Sequence, residues 1–360
     1  MNLDFHFYGT YAAAKIVGFD DESAKEIAWA AQMVDEFTEG YAKKAGIKDP
    51  TVTCETTKDN FADDINMLSD PFNETLLKIR KIWVPFHFLP NVSYNDEYML
   101  SSLNERDKPD YRCRCYPNSS LIKNLVNYLV GSGEQKTDIK QYSKAYESIY
   151  IYIGIVMHIL ADTWAHQGFA GSPNYMVNYI EGEQVFHQDY KEGIIDKTHN
   201  IGTNYEIMFL GHGIAGHKPD TGYLVYEYKE KASEKKIKVH NTERFFAAFA
   251  QMVEAMLDIV EGTEFVPVEY GYADIGNGKL DLLDAYKDEI ENVLHTEAPD
   301  QSTAWLKLLQ NRHLLSGSLV FDKDNILEKN IKLQQFSEAA WDIQRLVVEE
   351  INAQVPRYFG

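Results

Sequence analysis

Apolar residues recur at helical spacing along most of this chain. Between 21 and 45, Ile27, Ala28, Ala31, Val34 and Phe37 form one stripe behind an acidic first turn of Asp20, Asp21 and Glu22, so a helix is predicted there, with Asp35 on it. A polar stretch near 46–70 follows. Short helices are predicted at 72–81 and 118–131, with Trp83 to Pro90 and a Cys-x-Cys loop between them. A long helix is predicted over 138–167, stopped by Gly168, Gly171 and Pro173. Tyr223 to Tyr228 and Lys236 to Val239 flank a charged turn and predict one hairpin. Helices resume at 241–261, 280–294, 300–313 and 333–353. The expected fold is mainly α, a multi-helix bundle with at most a small β-hairpin. No repeat or linker divides it, so one helical domain is expected over 1–360, with a core at 1–265 and a C-terminal helical layer at 266–360.

Within the long helix, the run from Met157 to His166 breaks the apolar pattern at His158, Asp162 and His166, each four residues from the last. That spacing puts two imidazoles and a carboxylate on one face. An apolar helix cannot bury three such groups unpartnered, and a divalent cation satisfies all three. A core histidine bonded to a carboxylate is the plainer alternative for any one of them. Other candidates share apolar or glycine-rich surroundings, which give a ligating imidazole a fixed tautomer and a dry shell. His6 lies among aromatics and would point the same way as Asp4 if that segment is extended, and His87 lies in Val-Pro-Phe-His-Phe-Leu-Pro. His212 and His217 sit in a glycine-rich run ending at Asp220. His187, His199, His240, His295 and His313 lie in polar stretches and are expected at the surface. Asp4, His6, Asp35, His87, His158, Asp162, His166, His212, His217 and Asp220 exceed what one tetrahedral ion can use. Two or three metals are therefore expected, with Asp162 a natural bridge; His and Asp ligands suit zinc, manganese or iron.

Charge narrows the partners. The chain has 35 basic and 55 acidic residues, a net charge of -20, which argues against a general electrostatic surface for nucleic acid or anionic membrane. The longest apolar run is too short to span a bilayer. The N-terminus lacks the features of a secretory signal, and three cysteines agree with a reducing compartment, so a cytoplasmic protein is expected. Cys113 and Cys115 have no second ligand pair and are expected to be structural thiols.

The order of these ligands resembles the zinc-dependent phospholipase C and S1/P1 nuclease superfamily. His6, Asp35, His87, His158 with Asp162, His166, and His217 with Asp220 follow that superfamily's sequence of ligands over about residues 1–220. The segment from His6 to Thr10, with Ile27 to Gln32 and Asp35, also resembles an uncharacterised bacterial family related to it. The resemblance implies a helical fold, a trinuclear zinc site and phosphoester hydrolysis. Secreted members ligate metal through the amino group of a processed N-terminal Trp; this chain begins with Met, and Asp4 is the expected substitute. His166 follows Asp162 more closely than in the superfamily, and the last pair is His-x-x-Asp.

Clustered cations would lower the pKa of water and neutralise phosphate oxygens. Asp35 is the candidate that orients the attacking water. Asn241 and Arg244, opening the helix after the hairpin, are candidate phosphate holders, although an N-cap and a surface arginine are the plainer explanation. A small soluble phosphoester suits the acidic chain better than phospholipid or nucleic acid. The contrasting expectation is a non-catalytic helical binding module with a structural or vestigial metal site. An HD-type phosphohydrolase is disfavoured, because no His-Asp dipeptide occurs.

Overall fold

The computed structural model describes residues 1–54, 73–94, 96–130, 149–187, 209–268, 280–297, 300–322 and 330–360, without the side chains of 183–187 and 330. A π-helical segment, Asp4–Gly9, runs into α1 (Thr10–Val17). Helices α2 (Asp21–Glu36), α3 (Glu39–Lys44), α4 (Glu74–Phe86), α5 (Glu97–Ser102), α6 (Lys108–Arg112) and α7 (Ser120–Val130) follow. Then come α8 (Ile149–Ala165), α9 (Tyr175–Asn178), strands β1 (Ile180–His187), β2 (Leu224–Glu230) and β3 (Lys236–His240), and α10 (Asn241–Glu261). Helices α11 (Asp281–Asp284), α12 (Lys287–His295), α13 (Gln301–Asn311) and α14 (Asn330–Gln354) complete the described chain.

The molecule is mainly helical, as its periodicity predicts. Helix α8 is the hub, touching α2, α4, α7, α10 and α14. Every residue from Ile151 to Ala165 is buried, which is why this segment is apolar all round instead of carrying a single stripe. At Gly154 the α2 backbone comes so close that an added Cβ would lie 2.3 Å from the Ile27 carbonyl oxygen. Only glycine permits that approach.

Several expected boundaries move. The predicted 21–45 helix divides at Phe37, because the Thr38 side chain accepts the Tyr41 N–H and caps a new helix. Helix α4 continues through Trp83 and Pro85 to Phe86, into a segment expected to lie between helices. Proline cannot donate to the carbonyl four residues back. The Gln344 side chain donates to that Lys81 carbonyl instead, at 2.8 Å. The predicted 280–294 helix is two pieces separated at Ala285 and Tyr286. The hairpin forms as β2–β3, but β1 pairs antiparallel with β2 to give an unpredicted three-stranded sheet. Gly182 adopts φ 64°, and the β1 register shifts between Glu181 and Gln184. That irregularity hides the strand from a simple alternation pattern. The first part of the predicted 138–167 helix, much of the 46–70 stretch, and His199 lie outside the described residues.

Candidate metal centre

Four elements deliver the first group of ligands. Helix α8 supplies His158 and Asp162, α2 supplies Asp35, the residue ending α4 is His87, and the π-helical segment supplies His6. Ligand atoms of His6, Asp35 and His158 lie close enough together to hold an ion, as do those of His87, His158 and Asp162. A second such group is His166, His212 and Asp220. His166 follows α8 directly, whereas His212 and Asp220 come from the turns between residues 209 and 222.

Backbone carbonyls fix four of the five imidazoles. His158 Nδ1–H donates to Ala31 O at 2.8 Å, His166 Nδ1–H to His87 O at 2.7 Å, His212 Nδ1–H to Gly216 O at 2.8 Å, and His87 Nε2–H to Thr53 O at 2.9 Å. A carbonyl can only accept, so each neutral ring turns its lone pair inward on the other nitrogen. The break after α2 helps here. It frees Phe37 O to accept Thr53 N–H at 3.1 Å, while the Thr53 hydroxyl donates to Val34 O at 2.8 Å, and this strap presents the carbonyl that orients His87.

The inward atoms face one another. His158 Nε2 and His87 Nδ1 are 3.3 Å apart and lie 3.2 and 3.3 Å from Asp162 Oδ2, with Asp35 Oδ1 at 3.8 and 3.7 Å. Asp162 Oδ1 turns the other way, 3.2 Å from His6 Nε2. Although that pair is close, its angles make no hydrogen bond, and both His6 ring nitrogens are buried without a hydrogen-bond partner. His166 Nε2 is 2.9 Å from Asp220 Oδ1, and His212 Nε2 is 3.5 Å from Asp220 Oδ2. Acceptors aimed at acceptors in a buried site repel unless protons or metal cations lie among them. Carbonyl-anchored imidazoles converging on carboxylates are also the usual surroundings of a metal. The donor set therefore fits divalent ions.

The Met1 amino group is the ligand-grade atom that side-chain reasoning missed. It is buried, 2.5 Å from Asp162 Oδ1 and 3.3 Å from Asp220 Oδ1, and so sits between the two groups. Burial opposes its charge, but Asp162, Asp220 and Asp35 outweigh this and push its pKa up to about 10. The available signal was the N-terminal amine that secreted members of the resembling superfamily use as a ligand.

Asp4 does not join the cluster. Residues two apart on a helix do not share a face, so the helical setting that turns His6 inward sends Asp4 to Ser302. His217 is 82% exposed at the rim, its Nδ1 3.5 Å from Asp220 Oδ2, and His212 takes the inner position. Asn241 is buried and donates both amide hydrogens to carbonyls, of Lys218 at 2.6 Å and Thr221 at 2.7 Å, so it is not free to hold phosphate. Arg244 donates to Ala165 O, the last residue of α8, at 3.3 Å. Cys113 and Cys115 are buried and unbridged, and burial raises both thiols.

Electrostatics sort the members. Burial, His158 and the charged amine hold His6 well below the usual imidazole value, and burial with His166 lowers His212 to about 4. Burial opposes ionisation of Asp162 and Asp220, yet neighbouring imidazoles and the amine hold both well below the carboxylate range. Burial, reinforced by Asp162, raises Asp35. Asp35 is also 30% exposed, the most open member of the first group.

No curated protein and no solved structure matches this chain. A model described as "Family of unknown function (DUF6765)" matches residues 1–355, and the chain belongs to that family.

Proposed function

We propose that this protein is a metal-dependent phosphoester hydrolase with a multinuclear centre of the zinc-dependent phospholipase C and S1/P1 nuclease type. The observation that carries the proposal is the convergence of carbonyl-anchored imidazoles on Asp35, Asp162 and Asp220. Three carboxylates against one ammonium leave a buried excess of negative charge, which two or three divalent ions, zinc being the metal implied by the resemblance, would neutralise. His6, Asp35, His158, His87 and Asp162 would hold the first of these, and His166, His212 and Asp220 the second, which the Met1 amine would join on losing its proton. Asp162, with its oxygens turned to different partners, would bridge.

When bound, such cations supply the charge that lowers the pKa of a water molecule and stabilises a phosphate ester as negative charge builds on its oxygens. The chain's own contribution is orientation. Asp35, on the open side, accepts a hydrogen bond from the attacking water and sets its approach. The anchored imidazoles keep the site from reorganising during reaction. A net charge of -20 favours a small phosphoester over a polyanionic substrate. No helix among the described residues is long and apolar enough to cross a membrane.

Metal content per chain, measured on protein purified without a metal-affinity tag, comes first. Two or more equivalents, with hydrolysis of mono- or diester phosphates lost on replacing His158 and Asp162 together by Ala, support the proposal; a folded protein that takes up no metal overturns it. The near-complete burial of His6, His158 and Asp162 favours one other reading, a structural centre in a binding module. In that case the double variant unfolds, because the metal's binding energy is folding energy.

A further inference from the structure

We propose that Asn241 is a positioning residue for the second ligand group, and that its loss costs the protein the ion at His166, His212 and Asp220 while leaving the first group able to bind. The inference rests on the metal centre proposed above.

The two groups differ in how they are supported. First-group ligands lie on or directly against helices, whose backbone hydrogen bonds set their positions. His212 and Asp220 lie in a run of turns, residues 209–222, that contains no helix or strand. At its first end this run is tied to the body of the protein: Gly211 N–H donates to Ala170 O at 3.1 Å, and the Asn174 N–H and the Asn178 side chain donate to Phe209 O at 3.0 and 2.7 Å. Phe88 packs so tightly over Gly211, φ 53°, that an added Cβ would lie 2.1 Å from its ring. His212 is therefore set by its neighbours on that side.

Beyond His212 the bonds turn inward. His212 itself reaches Gly216, Lys218 Nζ reaches Ala215 O at 3.1 Å, and the Thr221 hydroxyl reaches His217 O at 2.8 Å. These bonds shape the run but do not tie it to a neighbouring helix. Asn241 does. From the first residue of α10 its amide bridges the Lys218 and Thr221 carbonyls, which flank Asp220 on both sides. Thr242 adds a hydroxyl bond to Gly222 O at 3.0 Å, one residue farther from the ligand. Asn241 is fully buried, so water cannot replace the two bonds when the amide is removed. Asp220 alone in the second group faces Met1, His166 and His212, and a shift of this carboxylate disconnects all three.

The test is titration of metal-stripped protein with zinc, followed by native mass spectrometry, with cobalt(II) absorption to identify the filled group. His212→Ala serves as the reference that lacks a second-group ligand. We expect Asn241→Ala to weaken the second-group ion at least tenfold, so that one ion fewer is bound at limiting zinc, to hold first-group ions within about twofold of their wild-type affinity, and to give the cobalt spectrum of His212→Ala. Thr242→Val should keep the wild-type complement. Should Asn241→Ala fail to fold, Asn241→Asp keeps the volume but aims acceptors at the two carbonyls, and the same loss is expected. The wild-type complement retained in the Asn241 variant, or ions lost from both groups alike, overturns the inference while leaving the metal centre standing. Wild type that binds no zinc or cobalt overturns both.

Discussion

His158 Nδ1–H donates to the Ala31 carbonyl at 2.8 Å, joining the helix that carries His158 and Asp162 to the helix that carries Asp35. The bond exists because Gly154, one turn earlier on α8, lets α2 approach to van der Waals contact. Gly154→Ala would set a methyl group 2.3 Å from Ile27 O and 2.6 Å from Ala30 Cβ. Separating the helices should cost about 1–3 kcal/mol, the usual range for overpacking a core. Metal affinity should fall with stability, because the tautomer of His158 loses its anchor. Thermal melting and zinc titration of the variant check this; unchanged values for both would show that the contact relaxes without consequence.

The Met1 amine is held between Asp162 and Asp220, within reach of both. Two residues added ahead of Met1 would convert the amine to an amide and leave both carboxylates without it. Breaking one partner out of a buried ion pair costs about 3–5 kcal/mol, so the extended, metal-free protein should melt well below the original. Calorimetry on the two chains decides the point, and equal melting temperatures would show that the amine carries no such role.

The same group sets an alkaline limit for the metal-free protein. Its pKa rises on folding from 8.0 to about 10, so the stability it contributes is complete below pH 8 and disappears as pH climbs toward 10, in all about 3 kcal/mol. His212 works in the opposite direction. Its pKa falls from 6.5 to about 4, so its contribution is present above pH 6.5 and is lost as pH falls toward 4. Denaturant titrations from pH 4 to 10 should give a maximum between about 6.5 and 8, and the extended chain should lose the alkaline limb alone.

Gln344 and Pro85 should be energetically coupled. Gln344→Ala leaves the Lys81 carbonyl without the donor that replaces the missing proline N–H, at a cost of about 0.5–1.5 kcal/mol. With Pro85→Ala already present the helix supplies its own N–H, and the cost of Gln344→Ala should shrink. A double-mutant cycle measures the difference, and additive effects would refute the coupling.

What was legible in the chain follows from which interactions are local. The four-residue spacing of His158, Asp162 and His166 put three ligands on one face because helical geometry relates near neighbours. The β2–β3 hairpin was visible because its turn and strands are contiguous. Strand β1 was not, since its Gly182 and its register shift are stabilised only by pairing with residues some forty positions away. Nor was the choice of His212 over His217. Both lie among glycines, and the fold of the 209–222 turns decides which imidazole faces Asp220.

The sequence by itself determined the mainly helical architecture, the burial of α8 and the identity of nine of the residues that meet around the candidate metal centre or at its rim, because periodicity and residue chemistry are properties of the chain. The tertiary structure alone decided their roles. It withdrew Asp4 in favour of the Met1 amine, turned Asn241 from a candidate phosphate holder into a brace for the Asp220 turn, and fixed four imidazoles with the carbonyls of Ala31, Thr53, His87 and Gly216. Backbone carbonyls are common to every residue, so their selection as anchors leaves no mark in the sequence until folding brings them to the site.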